Sequence, residues 1–182
     1  MNPTAIRVLR ASVLSLFLLV ALAVFTSRSQ LDMYGRYLRE TSPAATLRLN
    51  QLSAQMDEDA LQRHFDGVPM RCTAQAPGAD QLGERVCYSA IDSADGQAAL
   101  LMAAFFSGGQ LKRVTVQLPW WVHGYWLKQF NESWGKPIQA GRVSLLGGPV
   151  LRWTLPNGFL EFNARRELNP LGLNVIVWTA RS

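Results

Sequence analysis

The chain has 182 residues, of which 48% are hydrophobic and 17% are charged, and its formal net charge is +5. Arg7, Arg10 and Arg28 flank one apolar segment near the N-terminus and supply three of these five net charges, so the rest of the chain carries about +2. A charge this small argues against a nucleic-acid-binding protein. The roughly 155 residues after the apolar segment are enough for one domain with a hydrophobic core.

The apolar segment covers residues 11–27 and contains no charged residue. Such a run predicts membrane targeting, and two alternatives remain open. In a cleaved signal peptide, Ala21-Leu22-Ala23 would be the cleavage site. In an uncleaved anchor the helix continues, and Val24-Phe25 favours this alternative because the chain stays apolar beyond the triplet. We therefore predict a membrane anchor at residues 1–28, with the N-terminus in the cytoplasm.

The chain has two cysteines, Cys72 and Cys87, and both follow the apolar segment. An even number of cysteines in an exported chain favours one disulfide, whereas a cytosolic domain would keep two reduced thiols. A zinc site that added His64 and His123 would lack the usual paired ligand spacing, so we expect no metal and no cofactor. One disulfide together with the arginine-flanked apolar segment predicts a single-pass protein of a bacterial inner membrane with its domain in the periplasm. If the segment is cleaved, the protein would be secreted to the periplasm.

Residues 29–55 are polar with scattered leucines and tyrosines. Ser42-Pro43 is typical of a helix start, with serine at the N-cap and proline at the first helical position. These features predict a helical connector between membrane and domain.

The next stretch, residues 56–118, predicts one helix and three strands. Asp57 is suited to cap the helix, Leu61 and Phe65 share one face of it, and Gly67-Val68-Pro69 ends it. The predicted strands are Arg85 to Ile91, Ala98 to Phe106 and Leu111 to Leu118.

The same order recurs over residues 119–182. A short helix, Tyr125 to Asn131, ends at Gly135-Lys136-Pro137, and strands follow at Val150 to Leu155, Phe159 to Ala164 and Leu173 to Trp178, the first two joined by a turn at Pro156-Asn157-Gly158. We therefore predict an α+β fold in which two α-β-β-β repeats form one antiparallel sheet with both helices on one face. This element order resembles that of the outer-membrane-assembly lipoproteins and of the tandem-repeat inhibitors that bind β-lactamases. The resemblance implies no residue roles, because no motif carries it.

The most unusual segment lies between the repeats and is rich in aromatic residues. Exposed tryptophan and tyrosine rings often anchor a partner, and the alternative is that these rings fill the seam between the repeats. The candidate partner-binding residues are Trp120, Trp121, His123, Tyr125 and Trp126. Nearby in sequence, the basic residues that could form a rim for acidic partners or phospholipid headgroups are Lys112, Arg113, Lys128 and Lys136.

No motif of nucleophilic, metal-dependent or phosphate-binding catalysis is present, and we expect no enzymatic activity. His64 is predicted to line the first helix and His123 to occupy a turn before Gly124. The sequence favours a membrane-anchored accessory or assembly subunit whose domain binds another protein. The alternative is a lipid or small-molecule carrier, with an apolar pocket lined by residues such as Trp126, Phe130, Trp153 and Phe162.

Overall fold

The structure is a computed structural model and describes residues 13–17, 28–75, 83–142, 148–166, 169 and 171–181. The chain divides into two compact units, Met1–Arg39 and Glu40–Ser182. In the first unit, residues 13–17 are helical and helix α1 spans Arg28–Arg39. Most of the predicted membrane segment, residues 11–27, lies outside the described residues. Among those that are described, no helix has the length and apolar character needed to cross a membrane.

In its described residues, the second unit has two α-helices, 3-10 turns at Leu49–Gln51 and Trp120–Val122, an antiparallel sheet of eight strands and a mixed sheet of three short strands. The helices are α2 (Glu58–His64) and α3 (His123–Trp134). The strands are β1 (Ala44–Ala45), β2 (Arg71–Ala74), β3 (Arg85–Ala90), β4 (Ser93–Ala94), β5 (Gln97–Ala98), β6 (Leu101–Ser107), β7 (Gln110–Pro119), β8 (Ile138–Arg142), β9 (Pro149–Leu155), β10 (Gly158–Asn163) and β11 (Leu173–Ala180).

Eight strands form one antiparallel sheet in the order β2-β3-β6-β7-β11-β10-β9-β8. Each half of this sheet is a meander that follows its own helix, and the last strands of the two halves, β7 and β11, pair at the centre, where Val116 faces Ile176. The prediction of a repeated unit in one antiparallel sheet is therefore confirmed in outline. Each repeat has four large strands rather than the predicted three, since β2 and β8 were missed.

The two missed strands occupy the two edges of the sheet. Each begins shortly after a glycine-x-proline sequence that ends a helix, and Gly67 and Gly135 both adopt positive φ angles, 83° and 75°. All four residues of β2 are exposed, so this strand has no alternating apolar pattern for the sequence to reveal.

Both helices pack on one face of the sheet, which we call the helix face. One row of paired residues crosses seven strands on this face: Cys72, Cys87, Ala104, Val114, Trp178, Leu160 and Trp153. Cys72, on the edge strand, is exposed, and the other six residues of the row belong to one buried core together with Leu61 and Phe65 of α2 and Trp126 and Phe130 of α3. The structure thus has a single core between helices and sheet, which agrees with the prediction that both helices lie on one face.

The predicted first helix begins as expected. The Asp57 side chain accepts a hydrogen bond from the main-chain N–H of Ala60 at 2.7 Å, which caps α2. Glu58 and Asp59 occupy the first turn, where carboxylates complement the helix dipole.

The prediction of a helical connector over residues 29–55 is wrong beyond Arg39. No helix starts at Ser42-Pro43; the chain instead enters the core in an extended conformation as far as Leu47 and then makes a 3-10 turn at Leu49–Gln51, and it buries Ala45, Leu47, Leu49 and Leu52. Ala45 and Leu47 alternate with exposed residues, as in a strand, whereas Leu49 begins the 3-10 turn. Strand β1 pairs in parallel with β4, and β4 pairs with β5, so these three short strands form the second sheet.

Two aspartates fix this N-terminal segment to the domain. Asp92 Oδ2 accepts from the Ser42 N–H and Asp95 Oδ1 accepts from the Leu47 N–H, each at 2.9 Å. Burial raises the pKa of the Asp95 carboxyl, and the Leu47 N–H opposes that rise. The segment is therefore an integral part of the domain rather than a spacer.

Candidate functional site

The candidate partner-binding residues lie where the central strand β7 turns into helix α3. Strand β7 ends at Pro119, which pairs with Leu173 of β11, and a single 3-10 turn over Trp120–Val122 connects it to α3. Both flanking elements belong to the core-forming part of the domain. Side chains on the short turn and on the first turn of the helix are therefore held on a well-anchored support.

The structure separates these residues into two groups. Trp126 is 2% exposed and its ring lies 5.3 Å from that of Phe130, so it belongs to the core. His123 is buried as well, stacks on Phe162 at 5.0 Å, and its Nε2 lies 2.8 Å from the main-chain oxygen of Asn163. The prediction that His123 occupies a turn is wrong, because it is the first residue of α3 and faces the sheet. These two residues fill the seam between helix and sheet.

Trp121 and Tyr125 form the exposed group, which we call the aromatic pair. Trp121 is 48% exposed and Tyr125 is 42% exposed. They are four residues apart across the start of α3, the spacing that places side chains on the same side of a helix. The Tyr125 ring meets the edge of the buried Trp126 ring at 5.7 Å, so the exposed ring rests on the core.

Trp120 extends the aromatic pair along the surface. Its ring makes an edge contact with Trp121 at 6.0 Å, and the guanidinium of Arg166 lies 4.6 Å from its centroid. This distance is within the range of a cation–π interaction. This surface patch thus combines three aromatic rings with the positive charge of Arg166, which lies in the segment after β10.

The predicted basic rim is not assembled around the aromatic pair. Lys128 is exposed one turn beyond Tyr125 on α3, and its ammonium lies 3.8 Å from Glu132. Lys136 is exposed beyond the C-terminal end of α3. Lys112 and Arg113 lie near the far end of β7, about 20 to 26 Å from Trp120 at the rise of an extended strand. Of the four, only Lys128 is a near neighbour of the aromatic pair.

His64 sits at the C-terminal end of α2 and is buried. Its Nε2 lies 3.1 Å from the main-chain oxygen of Leu47, and Arg48 donates from its guanidinium to the main-chain oxygen of His64 itself. Burial lowers the pKa of the His64 imidazole, the carbonyl of Leu47 opposes this shift, and the charge of Arg48 adds to it. The histidine therefore ties α2 to the N-terminal segment, which is a structural role.

Cys72 and Cys87 form the predicted disulfide, and their positions are directly paired on β2 and β3. Their sulfur atoms and a carboxylate oxygen of Glu58 lie within 4.8 Å of one another, but oxidised sulfurs do not offer thiolates to a metal. Glu58 is also engaged by Arg85 at 2.5 and 2.9 Å, and this contact holds the pKa of the Glu58 carboxyl below its ordinary value. The cysteine pair serves the fold rather than a zinc site.

The sheet face opposite the helices carries a feature that the sequence did not reveal. On this face, which we call the arginine face, the Phe159 ring lies between two guanidinium groups, that of Arg152 at 5.5 Å and that of Arg181 at 5.6 Å. Arg113 of β7 lies on the same face two strands from Phe159, because Thr179 of β11 pairs with Arg113 on one side and with Phe159 of β10 on the other. Arg113 and Arg181 are distant from Phe159 along the chain and reach this face only through strand register, whereas Arg152 belongs to the same β9–β10 hairpin as Phe159.

Comparison with known proteins gave no relative. The chain matches no protein-family model, no curated protein and no solved structure.

Proposed function

We propose that this protein is a membrane-anchored, non-catalytic accessory or assembly subunit whose extracytoplasmic domain binds another protein through the aromatic pair. The observation that carries the proposal is that Trp121 and Tyr125 are both exposed on a support whose inner side is anchored by the buried rings of Trp126 and Phe130. Tryptophan and tyrosine are the residue types most enriched among the few that dominate binding energy at protein interfaces.

The rigidity of the support strengthens the argument. An exposed ring on a mobile loop would lose conformational freedom on binding, whereas a ring on an anchored helix is already positioned. Val122, Trp126 and Phe130 are buried along the inner side of the same turn and helix, so the orientation of the aromatic pair is fixed by the core.

The disulfide between Cys72 and Cys87 supports the proposed location. Disulfides persist in oxidising compartments such as the bacterial periplasm and are rare in the cytosol. The uncharged run at residues 11–27 offers the means of delivery, either as an anchor or as a signal segment.

The carrier alternative is less favoured by the packing. Its proposed pocket residues contact one another directly, since the Phe130 ring lies 5.3 Å from Trp126, 5.4 Å from Trp153 and 5.5 Å from Phe162. The four rings form a packed cluster in which each fills the space that a ligand would need.

The test is co-purification of the full-length chain, extracted in mild detergent without reductant, followed by a substitution series. Trp121→Ala/Tyr125→Ala is expected to lose a stoichiometric partner protein, because each ring at an interface centre contributes about 2 kcal/mol, or about thirtyfold in affinity. Asn131→Ala, at an exposed position about 120° around the helix axis from Tyr125, serves as the matched control.

Equal midpoints of thermal unfolding for all variants would show that a lost partner is not the result of a damaged fold. A photo-crosslinking residue at position 125, compared with one at position 131 on another side of α3, would then locate the contact. Retention of the partner by the double variant, or co-purification of a defined lipid with no protein, would contradict the proposal.

A further inference from the structure

The arginine face gathers three guanidinium groups around one aromatic ring. Those of Arg152 and Arg181 lie 5.5 and 5.6 Å from the centroid of the Phe159 ring. Arg113 lies in the same row of paired positions as Phe159, with Thr179 between them. Two strand spacings separate the backbones of Arg113 and Phe159 by about 10 Å. The three arginines therefore share one small area of the sheet.

This area carries more positive than negative charge. Its one acidic residue on β10 is Glu161, and a single carboxylate oxygen of Glu161 accepts hydrogen bonds from Nε and Nη2 of Arg152 at 2.8 and 2.5 Å. Within the described ranges of the chain, no carboxylate forms an ion pair with Arg113 or Arg181. Two like charges are therefore left unbalanced in one place, and negative charge supplied from outside would stabilise them.

The two unbalanced arginines can be reached from solvent. Arg181 is exposed just beyond the end of β11, and Arg113 is partly exposed on β7. A guanidinium keeps its charge at any physiological pH and can donate two parallel hydrogen bonds to one carboxylate. The Phe159 ring is partly exposed as well and offers an apolar contact beside the charges. The area is suited to a ligand that has both acidic and apolar groups.

The spacing of the arginines favours a polypeptide in an extended conformation. Arg113 pairs with Thr179, two residues before Arg181, so the two arginines are diagonal neighbours on adjacent strands. Such neighbours are about 7–8 Å apart. In an extended polypeptide, side chains two residues apart point to the same side and are separated by about 6.8 Å. Acidic residues two apart in such a segment therefore match the two arginines.

A bilayer surface fits this area less well. Arg113 and Phe159 are only partly exposed, and a planar surface reaches the outermost groups of a protein. The side chains of a polypeptide can instead enter between neighbouring residues of the sheet.

We infer that the arginine face binds an extended acidic segment of a partner polypeptide, in which carboxylates two residues apart pair with Arg113 and Arg181 and an apolar side chain contacts Phe159. The arginine face is on the other side of the sheet from α3, and the inference does not depend on the function proposed for the aromatic pair.

The test measures binding of a fluorescent peptide to the full chain in neutral detergent by fluorescence polarisation. The peptide has the sequence Thr-Glu-Thr-Glu-Thr-Val-Thr-Glu-Thr-Glu, and the comparison peptide has glutamine in place of every glutamate. We expect Arg113→Gln/Arg181→Gln to weaken binding of the glutamate peptide about tenfold.

The matched control is Arg63→Gln/Lys136→Gln. It removes the same amount of charge at two exposed positions, one in α2 and one just after α3, which pack on the other face of the sheet. We expect it to weaken binding less than about twofold. All variants are compared by their midpoints of thermal unfolding. If the arginine double variant unfolds earlier, Arg181→Gln alone replaces it, since this residue is exposed and lies outside β11, and a loss of about threefold is expected.

Four outcomes would overturn the inference. The first is no measurable binding of the glutamate peptide, and the second is equal binding of the glutamine peptide. The third is an equal loss in the control variant, which would mean that only net charge matters. The fourth is stronger displacement of the labelled peptide by short-chain phosphatidylglycerol than by unlabelled peptide, which would mean that the face binds a lipid headgroup. None of these measurements involves the aromatic pair, so failure of the proposed function would be seen separately.

Discussion

The Nε2 atom of His64 lies 3.1 Å from the main-chain oxygen of Leu47, and through this contact helix α2 holds the extended segment that precedes it. Leu47 is itself fully buried, and its N–H donates to Asp95 on the other side. Leu47 is therefore held by two contacts. His64 of α2 contacts its main-chain oxygen, and Asp95, in the turn between β4 and β5, accepts a hydrogen bond from its N–H.

The burial of His64 predicts a dependence of stability on pH. Burial lowers the pKa of the folded imidazole below its ordinary value of 6.5, so the unfolded chain binds the proton more readily. The free energy of unfolding is expected to fall as the pH drops below about 6.5, by at most about 1.4 kcal/mol per pH unit for one group, until the folded imidazole is protonated as well. Urea unfolding at a series of pH values measures this slope.

The control is His64→Gln, whose side-chain amide can still reach the Leu47 oxygen but does not titrate. Asp95 contributes with the opposite sign, because burial raises the pKa of its carboxyl and stability then falls as the pH rises from 3.8 through the folded value. The difference between the wild type and His64→Gln isolates the histidine. Identical pH profiles for the two proteins would contradict the prediction.

The disulfide is expected to stabilise the domain. It closes a sequence separation of 15 residues, for which loop entropy predicts about 3 kcal/mol. Strand β2 is short, exposed and at the sheet edge, so it depends strongly on its link to β3. We expect Cys72→Ala/Cys87→Ala to lower the free energy of unfolding by about this amount, as measured by urea titration.

Addition of reductant to the wild type provides the control for the disulfide prediction. It should reproduce the loss seen in the double variant and should leave that variant unchanged. A reductant effect of similar size on both proteins would show that the measured loss does not come from the bond.

Gly158 is required by the close approach of two strands. A Cβ at this position would lie 2.3 Å from the main-chain oxygen of Thr179 and 3.1 Å from the indole of Trp178. Gly158→Ala is therefore expected to destabilise the domain by about 2 kcal/mol or more, since backbone and a buried ring must both shift. Thermal unfolding monitored by tryptophan fluorescence would measure the change.

Gly124 provides the matched substitution in α3. No atom lies within 4 Å of a Cβ built there, and alanine favours a helix over glycine by about 0.5–1 kcal/mol. Gly124→Ala should therefore stabilise the protein slightly. Equal effects of the two substitutions would contradict the assigned difference in packing.

The parts of the fold that the sequence predicted correctly are those with a strong local period. In β7, Val114, Val116 and Leu118 alternate with more polar residues, and all three are buried on the helix face. The turn at Pro156-Asn157 was recognised for a similar reason, because the turn residues stand between two apolar runs. Gly158 already belongs to β10, where it pairs with Leu155.

The errors arose where long-range partners decide the structure. Ser42-Pro43 is a valid local signal for a helix, but Ala45 and Leu47 are held in an extended conformation by a turn about 50 residues later. Local patterns carry no information about such partners.

The candidate site was predicted as a segment but not in its details. The exposure of Trp121 and the burial of Trp126 depend on the helix phase, which is set by the start of α3 at His123. The arginine face was missed because Arg181 reaches Phe159 only through the pairing of β10 with the distant strand β11, and the hairpin alone gave Phe159 just the one arginine, Arg152.

The ion pair between Arg152 and Glu161 offers a test of the arginine face. Arg152 Nε and Nη2 lie 2.8 and 2.5 Å from the same carboxylate oxygen of Glu161, whose side chain is 8% exposed. Arg152→Met would leave that carboxylate buried without its partner. We expect a loss of about 2 kcal/mol in unfolding free energy, reduced from the value for fully buried pairs because the Arg152 side chain is 37% exposed.

The double variant Arg152→Met/Glu161→Leu removes both charges and is expected to recover most of that loss, since apolar side chains often replace a buried pair without cost. As a control, Lys128→Met breaks the exposed pair with Glu132, and a change below about 0.5 kcal/mol is expected there. If the double variant were as unstable as Arg152→Met, the loss would come from the missing contact between the Arg152 guanidinium and the Phe159 ring rather than from an unpaired charge.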